Sequence, residues 1–217
     1  MSTLLPAALA AAPLAAGWSV HTAWLWRQLR AARRDPLTGL WTREVFEVRA
    51  RRLLRGGEAL VLLADVNDFK AVNDTCGHAA GDAVLAAVGG RLGRICAPGV
   101  VGRLGGDEFA AVVPCHRDAQ SAVAAVRLAL CLPVEHDGRR LPVSVSLGAA
   151  TVGPTGEPAT VVLSAALRRA DEAMYAAKRT GGGWHLADEH APAALATVNG
   201  RRAGRPGTHR PVGEGER

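Results

Sequence analysis

The sequence predicts an α/β fold with helices packed on a central sheet, and three observations carry that expectation. Short apolar runs that read as strands alternate with longer stretches whose apolar residues recur at helical spacing. Glycine- and proline-rich breaks separate them. Aromatic residues make up 4% of the chain against 48% hydrophobic residues, so the core has to be assembled from Ala, Val and Leu. No internal repeat interrupts the alternation, and 217 residues suffice for one domain of ordinary size with appendages.

The two ends differ from the middle. Residues 4–26 carry no charge at pH 7, and as a helix they would extend roughly 34 Å, enough to cross a bilayer. Trp18, Trp24 and Trp26 cluster near the end of this run, and Arg27, Arg30, Arg33 and Arg34 follow at once. That order favours a span with its C-terminal side in the cytoplasm. Pro6, Pro13 and many alanines weaken it, and a cleaved signal peptide or a packing helix is the competing reading. Residues 1–26 are therefore expected to be a single membrane-spanning segment and 27–34 a basic linker helix. Residues 35–186 form the folded domain, and 187–217, rich in Gly, Pro and Arg, a disordered tail.

Within the domain, residues 35–40 (DPLTGL) read as a turn. Thr42 is placed to cap a helix running to Arg55, with Val45, Phe46 and Val48 on its apolar side and Gly56–Gly57 ending it. Residues 59–66 (ALVLLADV) form a strand buried on both faces. Asn73-Asp74 and Gly77-His78 punctuate the chain before a helix over 79–95, with Asp82 near its start and Leu85, Val88 and Leu92 on one face. Residues 100–114 (VVGRLGGDEFAAVVP) are a β-hairpin whose glycines supply the turn. A helix over 118–130, a turn over 133–140, a strand over 141–152 and a helix over 159–179 follow, with at most a short edge strand at 184–186.

Charge and cysteine usage narrow the chemistry. The net charge is +6, concentrated at 27–34, 43–55 and 201–217, without the interleaved aromatics of single-strand binders; nucleic acid is not expected as a partner. Four cysteines with no CxxC pair and no histidine pattern argue against zinc and read as small core residues in a reducing compartment. Two acids, Asp107 and Glu108, sit side by side at the hairpin tip: either a solvated turn or half of a cation site. Asp65, at the end of a buried strand, is costly unless compensated, the plain alternative being a helix cap. Lysine is scarce, since only Lys70 and Lys178 stand among 26 basic residues.

The runs RDPLTGLWTR, ADVNDFKAVNDTCGHAAGD, RLGGDEF, SVSLGAA and ADEAMYAAKRTGG occur in the order and rough spacing of the GGDEF diguanylate cyclases, and the chain resembles that family over about residues 34–184. GGDEF alone is only suggestive; the upstream and downstream runs make the combination specific. The resemblance implies an α+β, polymerase-palm-like domain with a central, mostly antiparallel sheet flanked by helices. It implies an enzyme that joins two GTP molecules into cyclic di-GMP across a homodimer, dependent on Mg2+ or Mn2+. By resemblance the metal ligands are Asp65, the carbonyl of Val66, Asp107 and Glu108, the last two also being the catalytic pair. Asn73 and Asp82 match the guanine-binding positions. Lys70, just after Phe69, and Lys178 match the phosphate-binding lysines, while Gly105 and Gly106 let the turn approach the nucleotide.

Several positions depart from the pattern. The family's phosphate-binding arginine after YxAK is Gly182 here, and Asn67 replaces a common second aspartate. The product-inhibition RxxD positions are Cys96 and Gly99, so feedback at that site is expected to be absent. The expected location is the inner or plasma membrane, single-pass, with the catalytic domain cytoplasmic. The alternative reading is a catalytically weak GGDEF domain that regulates by binding GTP or a protein; a related cyclase or polymerase with another product is a third.

Overall fold

The computed structural model describes Trp18, His21 and residues 33–114 and 118–187. The expectations for residues 1–26, for 27–34 and for the tail fall almost wholly outside the described residues. Among the described residues no helix is long and apolar enough to cross a membrane.

In chain order the elements are β1 (Trp41–Thr42), α1 (Arg43–Leu54), β2 (Ala59–Val66), α2 (Phe69–Cys76) and α3 (His78–Ile95). There follow β3 (Val100–Gly105), β4 (Glu108–Pro114), α4 (Ala119–Leu130), β5 (Val134–His136) and β6 (Arg139–Leu141). The last are β7 (Val145–Val152), α5 (Ala159–Arg179) and β8 (Gly183–Leu186). Six strands form one sheet in the order β1-β3-β4-β2-β7-β8. The four inner strands pair antiparallel, and the short outer strands β1 and β8 add in parallel.

β2 is buried along its whole length, and its alternation divides the core in two. Leu60, Leu62, Ala64 and Val66 face a cluster with Val84, Leu85, Val88 and Leu92 of α3 and Val123, Val126 and Leu130 of α4. Ala59, Val61 and Leu63 face the other, with Phe46 and Ala50 of α1 and Leu163, Ala166, Ala170 and Met174 of α5. Two layers of helices therefore cover the sheet, as a strand without a polar face requires.

The structure corrects the sequence reading at several places. Residues 69–76, read only as punctuation, form α2. Residues 133–140, read as a turn, carry the β5–β6 hairpin, and Leu141 belongs to β6, so β7 starts at Val145. Val48, placed on the apolar side of α1, is exposed. Cys96 is buried as expected, but Cys76 is exposed and Cys131 only half-buried. Thr42 occupies the N-cap position of α1 without a side-chain capping bond; the working cap is Asp118 on α4, which accepts from the Gln120 amide at 3.0 Å.

Candidate active site

The site grows from one row across the sheet. Glu108, Asp65 and Ser146 lie opposite one another on β4, β2 and β7, and Ser146 faces Gly183 on β8. Directly opposed residues point to the same side of a sheet. Asp65 follows Ala59, Val61 and Leu63 in parity, so the row faces the α1/α5 layer. Lys178, in the last turn of α5, reaches that row: its Nζ lies 2.6 Å from Asp65 Oδ1.

Asp65 is only 4% exposed. Burial raises its carboxyl above the ordinary value; the Lys178 ammonium pulls the other way, and the charges of Asp107 and Glu108 push it up again. The net direction is upward, because the cost of burying the charge outweighs the pull of Lys178.

The hairpin tip is fastened from two sides. The Val66 amide donates to the Asp107 carbonyl at 3.3 Å, which ties the end of β2 to the turn. Arg103 donates from Nε and Nη2 to the Gly106 carbonyl at 2.9 and 2.7 Å, and from Nη1 to both Asp35 oxygens at 3.1 Å. Burial opposes the Asp35 charge, but the Thr38 hydroxyl at 2.6 Å, the Thr38 amide at 2.8 Å and Arg103 outweigh it, and its carboxyl is held below the ordinary value. Gly106 has φ +51°, a conformation that favours glycine in the turn carrying the acids.

An open cleft of about 550 Å³ gathers these groups. Asp65, Val66, Phe69, Lys70, Asp107 and Lys178 line it, so six of the sequence-predicted residues come together there. Glu108, Gly105 and Gly106 belong to the same hairpin but not to the cleft wall. Asn73 and Asp82 lie outside the wall as well. A Cβ on Gly81 would stand 2.0 Å from Asn73 Oδ1; glycine there lets α2 close on α3 and sets Asn73 against the residue preceding Asp82. A larger groove of about 740 Å³ lies at the opposite end of the sheet, lined by Arg51, Arg52, Arg55 and Glu157 among others. It has neither lysine nor paired acids, so the chemistry points to the smaller cleft.

The donors available for a metal are all oxygens: the Asp65 carboxylate, the Val66 carbonyl and the hairpin acids. Among the described residues no group of three or more His, Cys, Asp or Glu side chains is placed to hold a metal ion, so Asp65, Asp107 and Glu108 do not meet as a preformed cluster. Magnesium takes one or two carboxylates and fills its octahedron with water and phosphate. A cation, the Lys178 ammonium, already rests on Asp65.

Sequence reasoning did not assign Asn67, Ser144 or Ser146 to the site. Asn67 donates from Nδ2 to Ser144 Oγ at 2.9 Å and accepts from Ser146 Oγ at 2.7 Å. The available signal was the pair of serines two apart in the mostly apolar run 141–152. Cys96 is buried, and burial pushes its thiol up to about 12.

Residues 32–183 match the family model described as "Diguanylate cyclase, GGDEF domain". The chain belongs to the GGDEF family. This GGDEF domain is 47% identical over 165 residues to the "Uncharacterized 19.3 kDa protein in repSA 5'region" of Streptomyces ambofaciens, covering 75% of this chain and 87% of that protein. It is 35% identical over 154 residues to the diguanylate cyclase DgcZ of Escherichia coli (strain K12), covering 68% of this chain and 50% of DgcZ. The chain therefore spans half the length of that relative. Among solved structures it is similar to the coiled coil and GGDEF domain of DgcB from Caulobacter crescentus in complex with c-di-GMP. The TM-score there is 0.66 at 31% identity, covering 83% of this chain and 98% of that one.

Proposed function

We propose that this GGDEF domain is an active diguanylate cyclase that condenses two GTP into cyclic di-GMP and two pyrophosphates. The observation that supports it best is the convergence of a buried strand-end carboxylate, an acidic hairpin tip and a lysine on one cleft. Lys70 and Lys178 bind the triphosphate, compact ammonium groups in a chain that otherwise uses arginine. Asp82 accepts from guanine N1–H and N2–H together, a pairing that adenine does not offer on that edge, and Asn73 completes the base contact. Asp65, the Val66 carbonyl, Asp107 and Glu108 are the residues that would hold magnesium or manganese. Bound there, the metal neutralises phosphate oxygens and lowers the pKa of the attacking 3′-hydroxyl. Phe69 and the glycines of the tip shape the approach, and Arg103 keeps the tip in place.

One domain holds one GTP, so closing two phosphodiester bonds requires two domains face to face; the working form in this reading is a homodimer. Residues 4–26 serve as its membrane tether and 27–34 as the lever that sets the pairing. The absence of a guanidinium at Gly182 favours a second reading, a weak cyclase that regulates by binding GTP. The full chain incubated with GTP and Mg2+, its products identified by mass spectrometry, separates the two. Cyclic di-GMP that disappears in Glu108→Ala supports the cyclase; tight GTP binding without product supports the regulator.

A further inference from the structure

Asn67 stands at the junction of three elements that carry the site. It follows Asp65 by two residues, and its backbone amide donates to the Ser144 carbonyl at 2.9 Å, which ties the end of β2 to the segment entering β7. Its side chain spans Ser144 Oγ and Ser146 Oγ. Ser146 is fully buried and lies in register between Asp65 on β2 and Gly183 on β8. On the remaining side, the 181–183 turn rests on the amide: a Cβ on Gly182 would stand 3.0 Å from Asn67 Nδ2.

That turn finishes α5. The Gly182 amide donates to the Ala177 carbonyl at 3.0 Å and the Gly181 amide to the Lys178 carbonyl at 3.2 Å, so the backbone on which Lys178 sits is continuous with the backbone that lies on Asn67. One neutral amide thus touches the strand end bearing Asp65, Ser144 and Ser146 at the entry to β7, and the turn behind Lys178. We propose that Asn67 is a positioning residue: through Ser144, Ser146 and the Gly182 backbone it sets the spacing between Asp65 and Lys178, and with it the seat of the triphosphate. The catalytic part of this claim rests on the cyclase reading above; the spacing itself does not. Two groups that clamp one substrate lose rate steeply when their spacing drifts by an ångström.

Lys70 and Lys178 are the only lysines of the chain, which gives the proposal a readout independent of turnover. Reductive methylation of the full chain with 13C-formaldehyde places one NMR signal on each lysine side chain, assigned with Lys70→Arg and Lys178→Ala. Asn67→Ala is expected to move the Lys178 signal and leave that of Lys70 in place. Ser146→Ala, which removes only a hydroxyl, carries the same test should Asn67→Ala fail to fold. In turnover assays Asn67→Ala is expected to lower kcat/KM about ten- to hundredfold, and to have little further effect in the Lys178→Ala background. An unmoved Lys178 signal, or losses that simply add in the double variant, overturns the positioning role. A wild-type chain that makes no cyclic dinucleotide while its Lys178 signal still responds to Asn67→Ala overturns the cyclase reading and leaves the spacing claim standing.

Discussion

Lys178 and Asp65 come from opposite halves of the chain, and their contact at 2.6 Å holds an otherwise costly carboxylate in the sheet. Their residue types were legible in the sequence: an acid closing an apolar run, and one of two lysines in an arginine-rich chain. The groups that seat them were not, because register decides that Ser146 lies beside Asp65, and register cannot be read from one strand alone. At this scale, Lys178→Ala is expected to raise the KM for GTP roughly ten- to hundredfold, the equivalent of about 1.5–3 kcal/mol for a charge-assisted bond, measurable by steady-state kinetics. The Lys178 side chain is 32% exposed, so the thermal midpoint is expected to move far less than the KM.

The hairpin of β3 and β4 was the most legible element, since two apolar runs around Gly-Gly-Asp-Glu leave little choice of structure. α2 was not, because eight residues with a central Asn-Asp show little more than two helical turns, and no residue of α2 is fully buried. The β5–β6 hairpin failed for the same reason of shortness. The hairpin tip is anchored by Arg103, which joins the Gly106 carbonyl to Asp35 in the entry turn. Arg103→Ala is expected to lower unfolding free energy by about 1.5–3 kcal/mol and to lower kcat more than it raises KM, read by denaturant titration and kinetics. Asp35 gives the pH dependence. Its carboxyl is held below the ordinary 3.8, so the ionised group stabilises the fold at every pH above that value. The contribution fades as pH falls through the lower, folded value. The stability gap between the wild type and Asp35→Asn should therefore be constant near neutrality and narrow below about pH 3.8, seen in thermal melts across that range.

Among the described residues, the two helix layers cover both faces of the sheet, and the polar row lies at the end of β2 that borders the cleft. The division into α1/α5 and α3/α4 layers was foreseeable from β2, whose eight apolar-rich residues have no solvent side. Pairing of two domains, part of the function proposed above, rests on the stoichiometry of the reaction alone. If the homodimer is the working form, specific activity should rise with protein concentration and level off, checked by dilution series alongside sedimentation. With Cys96 and Gly99 at the positions of the family's feedback site, added cyclic di-GMP should leave the initial rate unchanged apart from competition at the cleft itself. Titration of GTP into the protein by calorimetry, with Mg2+ and then with EDTA, tests the shared role of Asp65 and the hairpin acids most directly. The account predicts strong binding that needs the metal and weakens about ten- to hundredfold in both Asp65→Asn and Glu108→Gln. Binding of equal strength in EDTA, untouched by either substitution, would contradict it.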